Sequence, residues 1–137
     1  MLKKQLEEIL HDIVKLNQKI MDTCDYSNLI SLCEQDISII HLVGENENIS
    51  AKDISEILHA PKTTIVSAVD RLCRKKYLTK ESDPKDRRRM CLSLTDLGQK
   101  ANGEHNTYEE QILEFLVNQF EKEDQEELSK ILERRKR

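Results

Sequence analysis

Tyr77-Leu-Thr-Lys-Glu-Ser-Asp-Pro-Lys-Asp-Arg-Arg-Arg-Met-Cys-Leu-Ser-Leu94 is the stretch that decides the fold. Its two ends, 77–81 and 90–94, read as short strands, and they bracket the turn-forming run Ser82-Asp-Pro-Lys-Asp-Arg-Arg-Arg89. The stretch is therefore expected to form a β-hairpin with a cationic tip. Immediately upstream, residues 62–75 are expected to be helical. Ile65, Ala68, Val69 and Leu72 share one face, and Lys62, Thr63, Val66, Ser67 and Asp70 share the other. Ser50 opens Ser-Ala-Lys-Asp, a capping-box pattern with Asp in the reciprocal place, ahead of Ile54, Ile57 and Leu58. Ala60-Pro61 is expected to stop that short helix, because Pro disfavours a helical residue before it and suits the first turn of the next helix. A further helix is expected over 34–43, ended by Gly44.

Farther out, Leu2, Leu6, Ile9, Ile13, Leu16 and Ile20 trace a narrow apolar stripe with helix–helix seam spacing, broken by Asp22, Asp25, Ser27 and Asn28. Downstream, Thr95 is expected to cap a long helix to about residue 120, with Ile112, Leu113, Leu116 and Phe120 apolar. A last helix, 124–135, carries Leu128, Ile131 and Leu132.

The length of 137 residues fits one domain. Leu, Ile, Val and Phe number 37, above the fraction of roughly 20% below which chains tend to stay disordered. The chain folds, but 35% charged residues leave a thin core, which favours oligomerisation. Three Gly, two Pro and five Phe plus Tyr argue against a turn-rich sandwich or barrel. No stretch approaches the roughly 18 apolar residues of a membrane span, and the charged N-terminus does not resemble a signal peptide. Cys24, Cys33, Cys73 and Cys91 form no Cys-x-x-Cys pair and read as reduced thiols of a cytoplasmic protein.

The net charge of −4 hides a division. Residues 50–90 hold eleven basic and six acidic side chains, and the remainder eleven basic and twenty acidic. A basic centre between acidic ends is expected where one surface meets a polyanion. A solvated charged face would give the same count. Two short helices, a tight turn and an Arg-tipped hairpin make a winged helix-turn-helix, and the polar face of the second helix suits a major groove. The guanidinium groups of Arg87, Arg88 and Arg89 suit the negative potential of a minor groove. Lys52, Arg71, Arg74, Lys75 and Lys80 could neutralise phosphates.

The run from Val69 to Arg88 and the exit Leu92-Ser-Leu-Thr-Asp-Leu-Gly98 resemble the helix-to-wing signature of the MarR family of transcription regulators. The resemblance implies a mostly α fold with a small β wing. It implies a homodimer joined through segments of about 1–30 and 100–137, and a DNA-binding lobe over about 34–99. It also implies double-stranded DNA with a pseudo-palindromic operator as partner, with half-sites roughly 10 base pairs apart, and repression relieved by a small effector. On the family's wing motif, Asp86 is expected to brace the tip. The chain departs from the family at three places. Lys76 stands where Gly usually ends the recognition helix, so the turn must accept a left-handed lysine or change shape. Val66 and Ser67 replace a hydroxyl–Arg pair, which leans base preference toward thymine. Glu81 stands where a basic residue is common.

Two variants of the same fold stay open, one sensing redox through Cys91 beside three arginines, the other sensing zinc through His41, His105, Glu104, Glu109 and Cys33. No cofactor is expected. No Gly-rich phosphate loop or nucleophile motif points to an enzyme. A helical protein–protein interaction module remains the rival of another class; the Arg-rich hairpin beside a helix face of short side chains weighs against it.

Overall fold

The computed structural model describes residues 1–136. Its helices are α1 (Leu2–Thr23), α2 (Ser27–Ile30), α3 (Glu34–Glu45), α4 (Ala51–Leu58) and α5 (Lys62–Arg74), followed by the strands β1 (Leu78–Ser82) and β2 (Met90–Leu94) and the helices α6 (Asp96–Val117) and α7 (Lys122–Glu133). The chain forms two compact units, one of residues 26–106 and the other of 1–25 with 107–137.

In the first unit, periodicity translates directly into burial. Ile39 and Ile40 of α3, Ile54 of α4, and Ile65, Val69 and Leu72 of α5 are fully enclosed. The strands pair antiparallel in the register Leu78↔Leu94 to Ser82↔Met90. Leu92 N donates to Ile49 O at 2.8 Å, which ties the hairpin to the segment before α4. The capping box forms reciprocally: Ser50 N donates to Asp53 Oδ2 at 3.0 Å, and Asp53 N to Ser50 Oγ at 3.2 Å. Thr95 caps α6 by accepting from Gly98 N at 3.0 Å.

Three turn assignments change. Gly44 does not end α3, which runs on to Glu45. A Cβ at Gly44 would lie 2.6 Å from Asn102 Nδ2, so the glycine serves close approach of α3 to α6. The helix α4 stops at His59, which adopts a left-handed conformation with φ 52°, before Ala60-Pro61 is reached. The short α2 arises where only a polar break was expected, anchored by buried Leu29. At Lys76 the turn keeps its shape and accepts a left-handed lysine, φ 69°.

In the second unit, Ile20 is the buried residue of α1, while Ile9, Ile13 and Leu16 are half-buried. Tyr108 donates a hydrogen bond to Asn17, joining α6 to α1. Leu2, Leu6, Leu10 and Val14 of α1 are exposed, as are Leu113 and Val117 of α6 and Ile131 and Leu132 of α7. The apolar face of α1 is therefore broader than the stripe read from spacing. No described helix is long and apolar enough to cross a membrane.

Candidate nucleic-acid interface

The candidate surface is built on α5. Burying Ile65, Ala68, Val69 and Leu72 turns Lys62, Thr63, Val66 and Ser67 to solvent, because α-helical geometry separates the two sets by about half a turn. Arg74 and Lys75 are exposed at its C-terminal end, where cations complement the helix dipole. Arg71 has a different neighbour: its guanidinium pairs with Asp36 of α3, whose side chain is 4% exposed. Lys80 of β1 pairs with Asp70, a contact that holds the Asp70 carboxyl below the usual carboxylate range.

Short backbone contacts shape the wing tip. Asp83 Oδ1 accepts from Lys85 N at 2.9 Å, and Asp86 Oδ1 accepts from Arg88 N at 3.0 Å. Arg89 N donates to Asp86 O at 3.0 Å, and Asp83 N to Arg89 O at 2.8 Å. Each aspartate thus closes a turn through its own side chain, and Arg87 and Arg88 are left exposed.

Arg89 turns inward. Its Nη2 donates to Asp53 Oδ2 at 2.5 Å, and its Nη1 to Asp83 Oδ2 at 3.1 Å and to Cys91 Sγ at 3.2 Å. Asp53 therefore caps α4 and anchors the wing at once. The Ser50 backbone N–H, followed by Arg89, holds its carboxyl below the usual range. The Lys85 backbone N–H, then Arg89, does the same for Asp83. These carboxylates in turn push the Arg89 guanidinium up from its ordinary value, Asp53 first. The anchoring roles of Asp36, Asp53 and Asp83 were not legible in the sequence; the capping-box pattern marked Asp53 only as a helix cap.

Between α4, the start of α5 and the hairpin lies a cleft of about 530 Å³, lined among others by Lys52, Lys62, Val66, Lys80, Arg88 and Met90. The structure brings together cations of α4, α5 and the hairpin around an apolar floor, with Asp53, Glu56, Asp70 and Asp86 in the same lining; Asp70 is paired with Lys80 and Asp53 with Arg89.

The candidate sensor residues are arranged otherwise. Cys91 is buried, its thiol directed at Asn48 O, 3.6 Å away. Cys73 is half-buried, and burial pushes its thiol up. Cys33 is exposed at the N-cap of α3. The rings of His41 and His105 meet edge to face at 5.5 Å, and His41 Nε2 lies 3.2 Å from Glu45. Among the described residues, no three His, Cys, Asp or Glu side chains are grouped to hold a metal ion.

Residues 32–98 match the winged helix DNA-binding domain family. No curated protein matches the chain by sequence. Among solved structures, it resembles Streptococcus pneumoniae FabT in complex with DNA, with a TM-score of 0.77 and 17% identity over 97% of this chain and 91% of FabT. It also resembles S. aureus MepR bound to ethidium bromide, with a TM-score of 0.71 and 18% identity over 98% of this chain and 93% of MepR. A third similar structure is MarR, with a TM-score of 0.64 and 21% identity over 98% of this chain and 87% of MarR. The chain thus has the fold of these solved regulators, FabT, MepR and MarR, with the match to a winged helix DNA-binding domain lying over residues 32–98.

Proposed function

We propose that this protein is a homodimeric, sequence-specific repressor, acting in the cytoplasm on a pseudo-palindromic operator and released by a small molecule. The observation that carries the reading is the convergence of the exposed α5 face and the exposed wing tip on one cleft, where Lys52, Lys62 and Arg88 stand beside the ion pairs Lys80–Asp70 and Arg89–Asp53. In this reading Lys62, Thr63, Val66 and Ser67 meet base edges in the major groove. Arg87 and Arg88 reach into or along the minor groove, with Asp86 bracing the tip that presents them. Arg74 and Lys75 neutralise phosphates. Arg71 and Arg89 stand at the edge of the same surface and act through the ion pairs that set its shape, with their remaining N–H groups available to phosphate.

Dimerisation is supported by the second unit. Leu2, Leu6, Leu10 and Val14 of α1, Leu113 and Val117 of α6, and Ile131 and Leu132 of α7 are exposed large apolar side chains, which a partner protomer would cover. Residues 1–30 and 100–137 would supply that interface and 34–99 the DNA-binding lobe. The small-molecule trigger takes its support from MepR, a protein of the same fold seen with ethidium bromide. An effector relieves repression only to the extent that it binds the released arrangement more tightly. The role is regulatory rather than catalytic.

The test is fluorescence anisotropy on duplex DNA from upstream of the chain's own gene, against a scrambled duplex of equal length, at several salt concentrations. Tight binding to the first, steeply weakened by salt, is expected. Equal affinity for both duplexes refutes sequence-specific regulation. Light scattering in the same buffer should give the mass of a dimer, and a stable monomer at micromolar concentration refutes the homodimer. Adding ethidium, or a panel of small aromatics, to the bound complex tests release.

A further inference from the structure

We propose that Val66 reads the 5-methyl group of thymine, so that each operator half-site is specified by apolar contact rather than by bidentate hydrogen bonding to guanine. The inference rests on the DNA-binding reading above and names the base chemistry it would recognise.

Three observations converge on it. First, the outward face of α5 is short of guanine readers. A guanine edge is read by a long cation that bonds O6 and N7 together. Over the first three turns of α5 the side chains of that kind are Lys62 and Arg71, and the Arg71 guanidinium is engaged by the buried carboxylate of Asp36. Lys62 sits on the first residue of the helix, a single ammonium without the planar fork of arginine. Second, the centre of that face is apolar. Val66 is 37% exposed, one turn beyond Lys62, between the short side chains Thr63 and Ser67. Third, Val66 is not isolated. Met90, 43% exposed, stands with it in the lining of the same cleft. Single exposed apolar side chains need no explanation, but two lining one cleft with Lys52, Lys62 and Arg88 at hand make a surface that can take an apolar group carried on a polyanion.

Of the groups a base pair presents in the major groove, the thymine 5-methyl is the apolar one. A branched, conformationally stiff side chain such as valine meets it with little entropy to lose. Hydroxyls at Thr63 and Ser67 can donate to or accept from either purine, so they orient the helix without forcing a guanine.

The experiment selects binding duplexes from a random-sequence library with the full-length protein, then replaces each thymine of the enriched motif in turn by deoxyuridine, which removes the methyl group alone. At one thymine per half-site, the replacement is expected to weaken binding about three- to five-fold, the worth of one buried methyl. Val66→Ala should bind the parent motif more weakly by a similar factor and lose nothing further at that uridine. Val66→Thr, which keeps one methyl group at the same place, should retain part of the discrimination. Uridine effects below two-fold at every thymine overturn the assignment, as does an undiminished uridine effect in Val66→Ala. An enriched motif whose half-sites are read through G·C pairs overturns it too and leaves DNA recognition standing. Enrichment of no motif overturns the assignment together with the sequence-specific reading beneath it.

Discussion

Lys76→Gly is expected to stabilise the protein, although it removes a side chain. The end of α5 is a complete Schellman motif: Tyr77 N donates to Leu72 O at 2.9 Å and Lys76 N to Cys73 O at 3.0 Å. Leu72 and Tyr77 are both buried, which supplies the apolar contact that accompanies this cap. The geometry places Lys76 at φ 69°, where a Cβ crowds its own backbone. For an L-residue that conformation costs roughly 1–2 kcal/mol. Glycine removes the cost but brings a more flexible unfolded chain, worth roughly 0.4–1 kcal/mol in the opposite direction. The net gain is about 0.5–1 kcal/mol, or about 2–5 °C in Tm for a chain of this length. Far-UV circular dichroism during heating, at one fixed protomer concentration, measures it. Lys76→Ala separates strain from charge, since it deletes the ammonium and keeps the Cβ. It should leave Tm unchanged or lower. Lys76→Asn should fall between Ala and Gly, because asparagine tolerates the left-handed region better than most residues. The reasoning is refuted if the glycine variant melts no higher than the parent, or if alanine gains as much.

Arg88→Ala should weaken binding to operator and random DNA alike and lower the salt slope by about one per protomer, whereas Ser67→Ala should chiefly alter sequence preference; anisotropy titrations across salt distinguish the two. Gly98→Ala should destabilise by about 1–3 kcal/mol, because the added Cβ would lie only 2.2 Å from the Tyr77 carbonyl oxygen and the start of α6 or the hairpin must shift; chemical denaturation reads it. Asp53, whose carboxyl is held below the ordinary value, stabilises the fold fully above about pH 4 and loses that contribution as pH falls through its lower folded-state value. Asp53→Asn should therefore melt lower than the parent at pH 7, with the gap closing below about pH 4, as followed by thermal melts across pH.

Much of the fold was legible because it is written in neighbouring residues. The capping box at Ser50 and Asp53, the buried face of α5, the paired strands and the Thr95 cap each depend on side chains within a few positions of one another. Where the local signal is incomplete, the tertiary structure departs from it. Gly44 carries a helix-stop signal, yet α3 continues past it, and the glycine instead makes room for Asn102, 58 positions later. His59 ends α4 ahead of the proline because its backbone turns left-handed first. On α1, spacing alone picked the stripe through Ile13 and Ile20, while the exposed apolar side chains include Leu10 and Val14, which lie beside it.

By itself, then, the sequence determined the element types, the helix faces and the pairing of a short-side-chain helix with an Arg-tipped hairpin, since periodicity, capping and turn chemistry act over one or two turns of chain. Only the tertiary structure decided which cations remain outward. Arg87, Arg88 and Arg89 are identical and adjacent in sequence, but Asp53, 36 residues away, draws Arg89 inward, and Asp36, 35 residues away, does the same for Arg71. A charge is assigned to solvent or to an ion pair by what the fold carries into its reach, and that distance in space has no trace in the distance along the chain.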